Sequence, residues 1–472
     1  MGTEISQSRF EHADFEAFRQ RLAAETRILK QWFADDAIPQ RPPEAGYELE
    51  AWLVNSQAKP APEIDRLLPL IHGEHAVPEL ARFNIELNGN AFRLEGNALT
   101  QMYEEIIENW SSTRHAAKSL NLDLMMIGML PTADHGDFSL EAMSPLQRYR
   151  ALNEQIFLQR KDQPLQLDIK GTDHLQTQHH DVMLEAATTS FQIHLRTTPQ
   201  EAARLFNISK IVSAPIVALA ANSPYLFGHD LWAETRIPVF EQTIEVGKTD
   251  LTKRVSFGVR YAEQSIMEVF DANLQRYPIL LPELMDESPE NLAHLRLHNG
   301  TIWRWNRPLV GFDPDGSPHL RIEHRVVPSG PTPADSVANA AFYFGITRAL
   351  HDEETAIEKL IPFETARDNF YRCARYGLDS SIRWREGKEI PIKRLILDLL
   401  LPKAAEGLHA LGIEQSETDR WLQIIRERVD AGQNGANWQR RWMKRTGASL
   451  QEMTLAYLEN QNSDLPVHRW PV

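Results

Sequence analysis

The stretch Gly46-Tyr-Glu-Leu-Glu-Ala-Trp-Leu-Val54 alternates in polarity from its first residues. Its odd-numbered positions, Tyr47 to Leu53, are apolar, and Glu48 and Glu50 stand between them. Successive side chains of a β-strand point to opposite faces. The stretch therefore predicts a strand with one apolar face and one face that carries two carboxylates.

Other segments repeat this alternation and extend the prediction to a sheet. One-sided alternation is typical of antiparallel sheets, because one face packs on the core and the other stays polar. The predicted strands are scattered between helical segments, which indicates an α+β fold: a curved, mainly antiparallel sheet of about six strands with helices on its outer face. The further strands are predicted at Phe83–Asn88, Ser190–Arg196, Val255–Tyr261, Ile302–Arg307 and Leu320–Val326.

Helical periodicity accounts for much of the remaining chain, including almost all of its last hundred residues. We expect one large catalytic domain over residues 1–472. It would comprise an N-terminal helix within 1–40, a sheet-bearing core at 46–350 and a helical C-terminal region at 360–472. After the first helix, helices are predicted at about 99–118, 144–160, 200–220, 334–351, 364–377, 390–407, 418–430 and 437–460.

Composition excludes several classes of protein. The 472 residues carry 65 Asp and Glu against 50 Lys and Arg, a net charge of −15, which argues against a nucleic-acid partner. The single cysteine, Cys373, excludes an intrachain disulfide and a Cys-rich zinc site. Residues 1–20 lack the apolar stretch of a signal peptide, and the longest apolar run, about Ile211–Ala221, is too short to cross a bilayer. We therefore expect a cytoplasmic protein with no membrane partner.

The polar faces of the predicted strands carry carboxylates, one imidazole and guanidinium groups, without lysine. Glu48 and Glu50 would lie side by side, where like charges repel unless a cation bridges them. Together with Glu86, Glu323 and His194 they form an oxygen-dominated ligand set that suits Mg²⁺ or Mn²⁺ better than zinc. The alternative is that these faces simply meet water and that His194 is a hydrogen-bonding histidine.

Several Mg²⁺ ligands with arginines nearby are the equipment of phosphoryl transfer, in which metal ions and guanidinium groups neutralise phosphate charge. The sequence contains neither a Walker A motif nor a Gly-rich nucleotide loop. We therefore expect that a nucleotide would be held mainly through its metal ions.

Motifs that follow one another along the chain carry a family resemblance. They are Gly46-Tyr-Glu-Leu-Glu50 as G-x-E-x-E, Ile85–Asn88 as a second acidic strand, Arg148-Tyr149 as R-Y, Gln192-Ile-His194 as Q-x-H, Ala221–Pro224 as A-N-S-P, Thr301–Pro308 with its W-R-W-N-R core, Leu320–Arg325 as E-x-R and Asn369–Leu378 ending in A-R-Y-G-L. In this order, from about Gly46 to Leu378, they resemble the glutamate–cysteine ligase type 2 family of carboxylate–amine ligases. Ile85–Gly96 is also similar to a segment of the plant glutamate–cysteine ligases.

The resemblance implies a glutamine-synthetase-like catalytic fold, in which the curved sheet forms a half-funnel. It also implies a two-step reaction. A substrate carboxylate takes the γ-phosphoryl group of ATP to give an acyl phosphate, and an amine then displaces phosphate to form an amide. Glutamate is the candidate carboxylate and cysteine the candidate amine.

The resemblance further suggests roles for individual residues. Glu323 and Arg325 are the catalytic candidates, with Arg325 stabilising the phosphoryl group in transfer. The residues expected to hold Mg²⁺ (or Mn²⁺), and through it ATP, are Glu48, Glu50, Glu86, His194 and Glu323. The candidates for binding substrate or ATP are Arg148, Gln192, Asn222, Arg236, Arg304, Asn88 and Glu95. Asn88 begins an Asn-Gly-Asn sequence where many bacterial members have Thr-Pro.

Two other functions fit the same residues. The carboxylate and histidine cluster could serve a metal-dependent hydrolase, which would act without ATP. The chain could also be a non-catalytic member of the fold that binds a metabolite. The C-terminal helices are expected to pack on the sheet or to mediate assembly, so a homo-oligomer is one of the alternatives.

Overall fold

A curled antiparallel sheet organises the molecule, as the alternation predicts. The computed structural model describes residues 4–246 and 251–472. Six strands follow one another across the sheet in the order β11-β12-β8-β1-β3-β2, and β4 and β5 also pair with β1. Within the described residues the strands are β1 (Glu44–Val54), β2 (Ala76–Pro78), β3 (Asn84–Asn88), β4 (Phe92–Arg93), β5 (Asp123–Met125), β6 (Leu165–Lys170), β7 (His174–His179), β8 (Phe191–Thr197), β9 (Tyr225–Leu226), β10 (His229–Asp230), β11 (Asn306–Phe312), β12 (Pro318–His324), β13 (Ser381–Arg383) and β14 (Glu389–Pro391).

Helices surround this sheet and confirm the α+β prediction. Most predicted helices are present, with ends shifted by a few residues; the predicted segment 437–460 is two helices, because Gly447 ends the first in a left-handed conformation (φ +64°). The described α-helices are α1 (His12–Ala34), α2 (Ile64–Leu67), α3 (Ala98–Ser119), α4 (Gln147–Gln159), α5 (Pro199–Ala220), α6 (Arg236–Thr243), α7 (Met267–Arg276), α8 (Ala293–Gly300), α9 (Pro333–Asp352), α10 (Ile357–Leu360), α11 (Phe363–Tyr376), α12 (Ile392–Leu395), α13 (Leu401–Ala410), α14 (Gln415–Ala431), α15 (Gly435–Thr446) and α16 (Leu450–Gln461).

The apolar face of the sheet is continuous across its central strands. Leu49 on β1 lies between Leu87 on β3 and Phe191 on β8, and Leu195 faces Ile322 on β12. Residues directly opposite in an antiparallel pair share one face, so the register assembles a single apolar layer. Helices α5 and α9 contact this part of the sheet. The polar residues of these strands lie on the opposite face of the sheet.

Helix α5 is the apolar segment singled out in the sequence. It is long and apolar enough to cross a membrane by length and composition, but 89% of its most apolar window is buried inside the protein. Thr198 caps its start by accepting a hydrogen bond from the amide of Glu201 (3.3 Å), and Pro199 occupies the first turn. The helix is therefore a core helix behind the sheet.

Two predicted strands are wrong. Residues 255–261 form bends, and residues 302–304 have no regular structure, so the strand in this region begins only at Asn306. Trp303 and Trp305 alternate with Arg304 in sequence, but the strand instead runs through Pro308 to Phe312, where Pro308 and Val310 pair with Ile322 and Leu320.

The C-terminal helices pack on the helical layer behind the sheet. Arg428 on α14 forms a buried ion pair with Asp335 on α9, at 2.8 Å, and the amide of Val467 donates to the same carboxylate at 3.0 Å. The ring of Trp438 meets those of Tyr457 and Trp470 edge-on at 5.8 and 5.3 Å. These helices thus pack mainly on other helices rather than directly on the sheet.

Candidate active site

The polar face of the sheet brings side chains from five strands together. Arg307 on β11 faces Glu323 on β12, and Glu323 faces His194 on β8. On the other side of β8, Glu48 pairs with Gln192, and Glu50 pairs with Glu86 on β3. The predicted metal-ligating residues thus lie on one surface because the register of the sheet aligns them.

The tightest group on this face consists of Glu48, His194 and Glu323. One ligand atom from each residue lies within 4.8 Å of the others, and all three side chains are buried. The Nε2 atom of His194 is 3.5 Å from Oε1 of Glu48 and 4.0 Å from Oε1 of Glu323. Two carboxylates and one imidazole at this spacing can converge on a divalent cation.

Glu323 is held ionised by arginines. Arg307 forms two hydrogen bonds to its carboxylate, each 2.8 Å long, and Nη1 of Arg325 lies 3.3 Å from Oε2. Burial alone would raise the pKa of Glu323, but the two guanidinium groups hold it well below its usual range. Glu323 is therefore available as a negative ligand at neutral pH.

Glu50 and Glu86 experience the opposite effect. Burial and the neighbouring Glu79 raise the pKa of Glu50 to about 7, although its carboxylate accepts hydrogen bonds from the Ser190 amide and from Gln192 (2.6 and 2.9 Å). Burial and Glu48 raise the pKa of Glu86 well above its ordinary value, and its Oε1 atom is buried without a hydrogen-bond partner among the described residues. A cation between these carboxylates would relieve their repulsion, so the donor set fits Mg²⁺ or Mn²⁺.

The protonation of His194 is set by Arg321. The Nε–H of Arg321 donates to Nδ1 of His194 at 3.0 Å, so the imidazole proton lies on Nε2. Burial, reinforced by Arg321, lowers the pKa of His194 to about 4, although Glu48 opposes the shift. The ring is neutral at pH 7, and ligation through Nε2 requires the other tautomer, in which Arg321 hydrogen-bonds elsewhere.

A cavity of about 230 Å³ opens on this polar face, and the side chains that line it include Glu48, Glu50, Glu86, Arg321 and Glu323. At one end of the cavity lie Glu79, Glu185, Arg148 and Tyr149. Tyr149 accepts a hydrogen bond from Nη2 of Arg148 (2.7 Å) and lies 3.3 Å from Oε2 of Glu79. Its other end is apolar and basic, with side chains from α8 and β11 that include Leu295, Arg296, Leu297, Leu309 and Val310.

Arg148, Gln192 and Arg325 are the predicted binding and catalytic residues that line this cavity together with the acidic ligands. Asn222 and Arg236 are fully buried outside it. Asn222 donates to the Ser329 carbonyl and to Tyr457 (2.8 Å each). Arg236 pairs with Glu234 (3.1 Å) and supports the backbone carbonyl of Arg325.

Three further candidates also lie outside the cavity. Arg304 lines a second, smaller cavity, where it contacts Asn273 and Tyr277. Glu95 is exposed at the surface 3.5 Å from Arg93. Asn88, at the end of β3 and opposite Glu48 in register, is not among the residues that line the cavity.

The sequence patterns assign no site role to Arg307, Arg321, Glu79 or Glu185. The predicted alternation places Arg321 on the polar face, two residues before Glu323, but gives it no role. Arg307 falls at the end of the predicted strand 302–307, whereas in the structure it lies at the start of β11, Asn306–Phe312. The prediction therefore does not indicate that its side chain lies on the polar face. Glu79 lies in an irregular segment before β3, and Glu185 lies in a short 3₁₀-helix, Met183–Ala187, before β8. Periodicity gives no signal at such positions.

Comparison with known sequences identifies the family of the chain. Residues 44–456 match the sequence profile of glutamate-cysteine ligase family 2. The chain belongs to this family. It is therefore a ligase that forms carbon–nitrogen bonds, of the ATP-dependent, amide-forming kind. A search of curated proteins gave no significant sequence match for the ligase.

A solved structure shows the same fold at low sequence identity. A glutamate–cysteine ligase from Francisella tularensis in complex with AMP superposes on the ligase with a TM-score of 0.60 and 11% identity, covering 92% of this chain and 91% of that one. A bifunctional glutathione synthetase from Pasteurella multocida gives a TM-score of 0.47 and 10% identity over 93% of this chain and 55% of that one. The first comparison shows that the ligase has a fold similar to that of a glutamate–cysteine ligase.

Proposed function

We propose that this ligase joins a small carboxylate to a small amine through an acyl phosphate, with glutamate and cysteine as the first substrates to test, and that it acts in the cytoplasm. The observation that carries the proposal is the buried Glu48–His194–Glu323 cluster. Its two carboxylates line the cavity together with Arg325. Carboxylates that gather a cation and guanidinium groups that receive phosphate are what phosphoryl transfer requires.

The residues that would hold Mg²⁺ or Mn²⁺ are Glu48, Glu50, Glu86, Glu323 and, after a change of tautomer, His194. When bound, the cation would neutralise charge on the phosphate oxygens of ATP. The orphaned Oε1 of Glu86 and the raised pKa of Glu50 support this assignment, because both carboxylates are costly in the folded protein without a positive partner.

Arg325 would stabilise the transferring phosphoryl group. Its guanidinium lies 3.3 Å from Glu323 and donates to Gln192, and its Nε is buried without a hydrogen-bond partner among the described residues. Arg307 forms both of its short hydrogen bonds with Glu323, so its role is to fix that carboxylate. The two arginines are given different roles because Arg307 already donates to Glu323, whereas the Nε of Arg325 has no hydrogen-bond partner among the described residues.

The end of the cavity formed by Arg148, Glu79 and Glu185 would receive the two organic substrates. Arg148 supplies the positive charge that a substrate carboxylate needs. Within the described residues the carboxylate of Glu185 forms no hydrogen bond or ion pair, and Glu185 lines the cavity with Glu79. Burial and the neighbouring Glu79 raise the pKa of Glu185 well above its ordinary value, and a bound ammonium group would favour its ionised form. We assign these two carboxylates to the ammonium form of the amine substrate, which they would bind and orient.

Trapping of the activated carboxylate tests the proposal. The wild-type enzyme, supplied with ATP, Mg²⁺, glutamate and hydroxylamine but no amine substrate, should form a hydroxamate and ADP. Glu48→Gln and Glu323→Gln should abolish both products while retaining the circular-dichroism spectrum, whereas Glu459→Gln, at an exposed position on α16, should behave as wild type. No hydroxamate with a broad panel of carboxylates would refute a ligase mechanism, and turnover of an amide or ester without ATP would favour the hydrolase.

A further inference from the structure

A second cavity, of about 40 Å³, lies between α5, α7 and the segment 258–262. Four cationic side chains line it, Lys210, Arg260, Arg276 and Arg304, together with one carboxylate, that of Glu268. This excess of positive charge stands out in a chain whose net charge is −15. None of these five residues lines the larger cavity.

Lys210 is the deepest of the cations. Its side chain belongs to the core helix α5 and is 1% exposed. Its Nζ donates to the Phe257 carbonyl at 2.5 Å and lies 4.6 Å from the ring centroid of Phe206. Within the described residues no carboxylate lies within 4 Å of it, so a carbonyl and aromatic faces are all that offset its charge.

Arg304 and Arg276 also lack negative partners. Arg304 donates to Oδ1 of Asn273 and to Tyr277 (3.0 and 3.2 Å), and its Nε is buried without a hydrogen-bond partner. Arg276, at the end of α7, forms no hydrogen bond or ion pair with any residue that the structure describes. Only Arg260 is neutralised, by Glu268 at 2.7 Å. Three cations are therefore left without a counter-ion.

Buried basic groups without counter-ions destabilise the folded protein unless an anion compensates their charge. Burial lowers the pKa of Lys210 well below its ordinary value, and Arg304 lowers it further. The backbone also leaves room at the ammonium group: Gly258 has a φ of +95°, and a Cβ atom there would lie 2.9 Å from Nζ of Lys210. A side chain at position 258 would therefore clash with the ammonium group of Lys210.

We propose that this cavity binds a small oxyanion of the phosphate type through Lys210, Arg304 and Arg276. Its volume exceeds the space that one water molecule needs, about 10–15 Å³. The unused donors on Lys210 and Arg304 are the groups that phosphate oxygens accept from. Three basic side chains without a carboxylate partner among the described residues favour a multivalent anion, and such an anion would favour the protonated form of Lys210. The site does not depend on the proposed ligase reaction, because its residues are separate from that cavity.

Calorimetric titration with inorganic phosphate at constant ionic strength tests the site. The wild-type protein should bind phosphate, and its thermal midpoint should rise with phosphate concentration. Lys210→Met and Arg276→Met should each weaken binding at least tenfold, while Lys444→Met, at an exposed position with the same charge change, should not. Arg276→Met alters a partly exposed side chain at the end of a helix, so it keeps the test valid if Lys210→Met fails to fold.

A variant of the larger cavity separates the two sites. Arg307→Met should retain phosphate binding at the second cavity. The proposal is overturned if Arg307→Met abolishes phosphate binding while Lys210→Met and Arg276→Met retain it, because the anion then occupies the larger cavity. It is equally overturned if the wild-type protein binds neither phosphate nor sulfate, or if Lys210→Met raises the thermal midpoint and leaves phosphate affinity unchanged.

Discussion

Arg307 and Glu323 lie opposite each other on β11 and β12, and both nitrogens of the guanidinium edge are 2.8 Å from the carboxylate oxygens. Both side chains are buried, and Arg325 stands on the other side of the carboxylate. The pair keeps Glu323 negative in the middle of the sheet. A permanently ionised carboxylate at this point is what the proposed cation site needs.

Arg307→Met should destabilise the fold by about 3 kcal/mol, because removing one partner of a buried ion pair leaves an uncompensated charge. Urea unfolding of both proteins without added metal measures the loss. Arg394→Met is the matched control, since Arg394 and Asp398 form an exposed pair one helical turn apart, and it should cost less than about 0.5 kcal/mol. Equal effects of the two substitutions would show that Arg325 alone compensates Glu323.

Cation binding should weaken as the pH falls through 7. The pKa of Glu50 is raised to about 7, so below that pH a proton occupies the carboxylate and competes with the cation, and above it the competition disappears. Mn²⁺ affinity, followed by electron paramagnetic resonance, should fall by up to about tenfold per pH unit below 7 and level off above 8. Glu50→Gln should flatten this dependence, and an affinity that is constant from pH 6 to pH 8 would contradict the assignment.

Asn222→Ala should affect stability and leave substrate affinity unchanged. The side chain of Asn222 links the end of α5 to Ser329, Tyr457 and Gln439, at 2.8 to 3.1 Å, and lies outside the cavity. Loss of these buried hydrogen bonds should cost about 1–3 kcal/mol. A large rise in KM with unchanged stability would instead restore the substrate-binding role that the A-N-S-P motif suggested.

The sheet could be predicted well where strands alternate cleanly. Glu48, Glu86, His194 and Glu323 were placed on one face from their sequence parity alone, because a two-residue period fixes the face of every side chain. Which strands are neighbours was not available in this way. The direct pairing of Glu323 with His194 follows from the order β12-β8-β1, which brings together segments more than 100 residues apart.

Prediction failed where packing overrides the local pattern. Trp303 and Trp305 alternate with Arg304, yet Trp305 is fully buried before the strand starts, and the residue delivered to the site is Arg307. Arg304 turns into the second cavity instead. The motif therefore identifies the segment, but which of its arginines lines the larger cavity depends on where the strand begins, and pairing with β12 sets that boundary.

The thiol of Cys373 should be unreactive in the native protein. It is fully buried and 3.3 Å from the hydroxyl of Ser380, and burial raises its pKa to about 12, so almost no thiolate exists at neutral pH. Ellman's reagent should label it only in denaturant, with a dependence that follows global unfolding. Rapid labelling of the folded protein would place the residue at an accessible position and reopen a chemical role.

Glu185→Gln should impair the amine half of the reaction alone. Glu185 lines the cavity with Glu79, and its carboxylate forms no hydrogen bond or ion pair with the described residues. Burial and Glu79 raise the pKa of Glu185 well above its ordinary value, and an ammonium group bound beside it would favour the ionised form, so Glu185→Gln should weaken binding of that group without disturbing the fold. We expect the KM for the amine to rise about tenfold or more, in line with the loss of one charge-assisted contact. Formation of the hydroxamate from ATP, the carboxylate and hydroxylamine should stay near the wild-type rate, because that half-reaction does not use the ammonium site. If hydroxamate formation fell together with amine turnover, Glu185 would belong to the cation or ATP site instead.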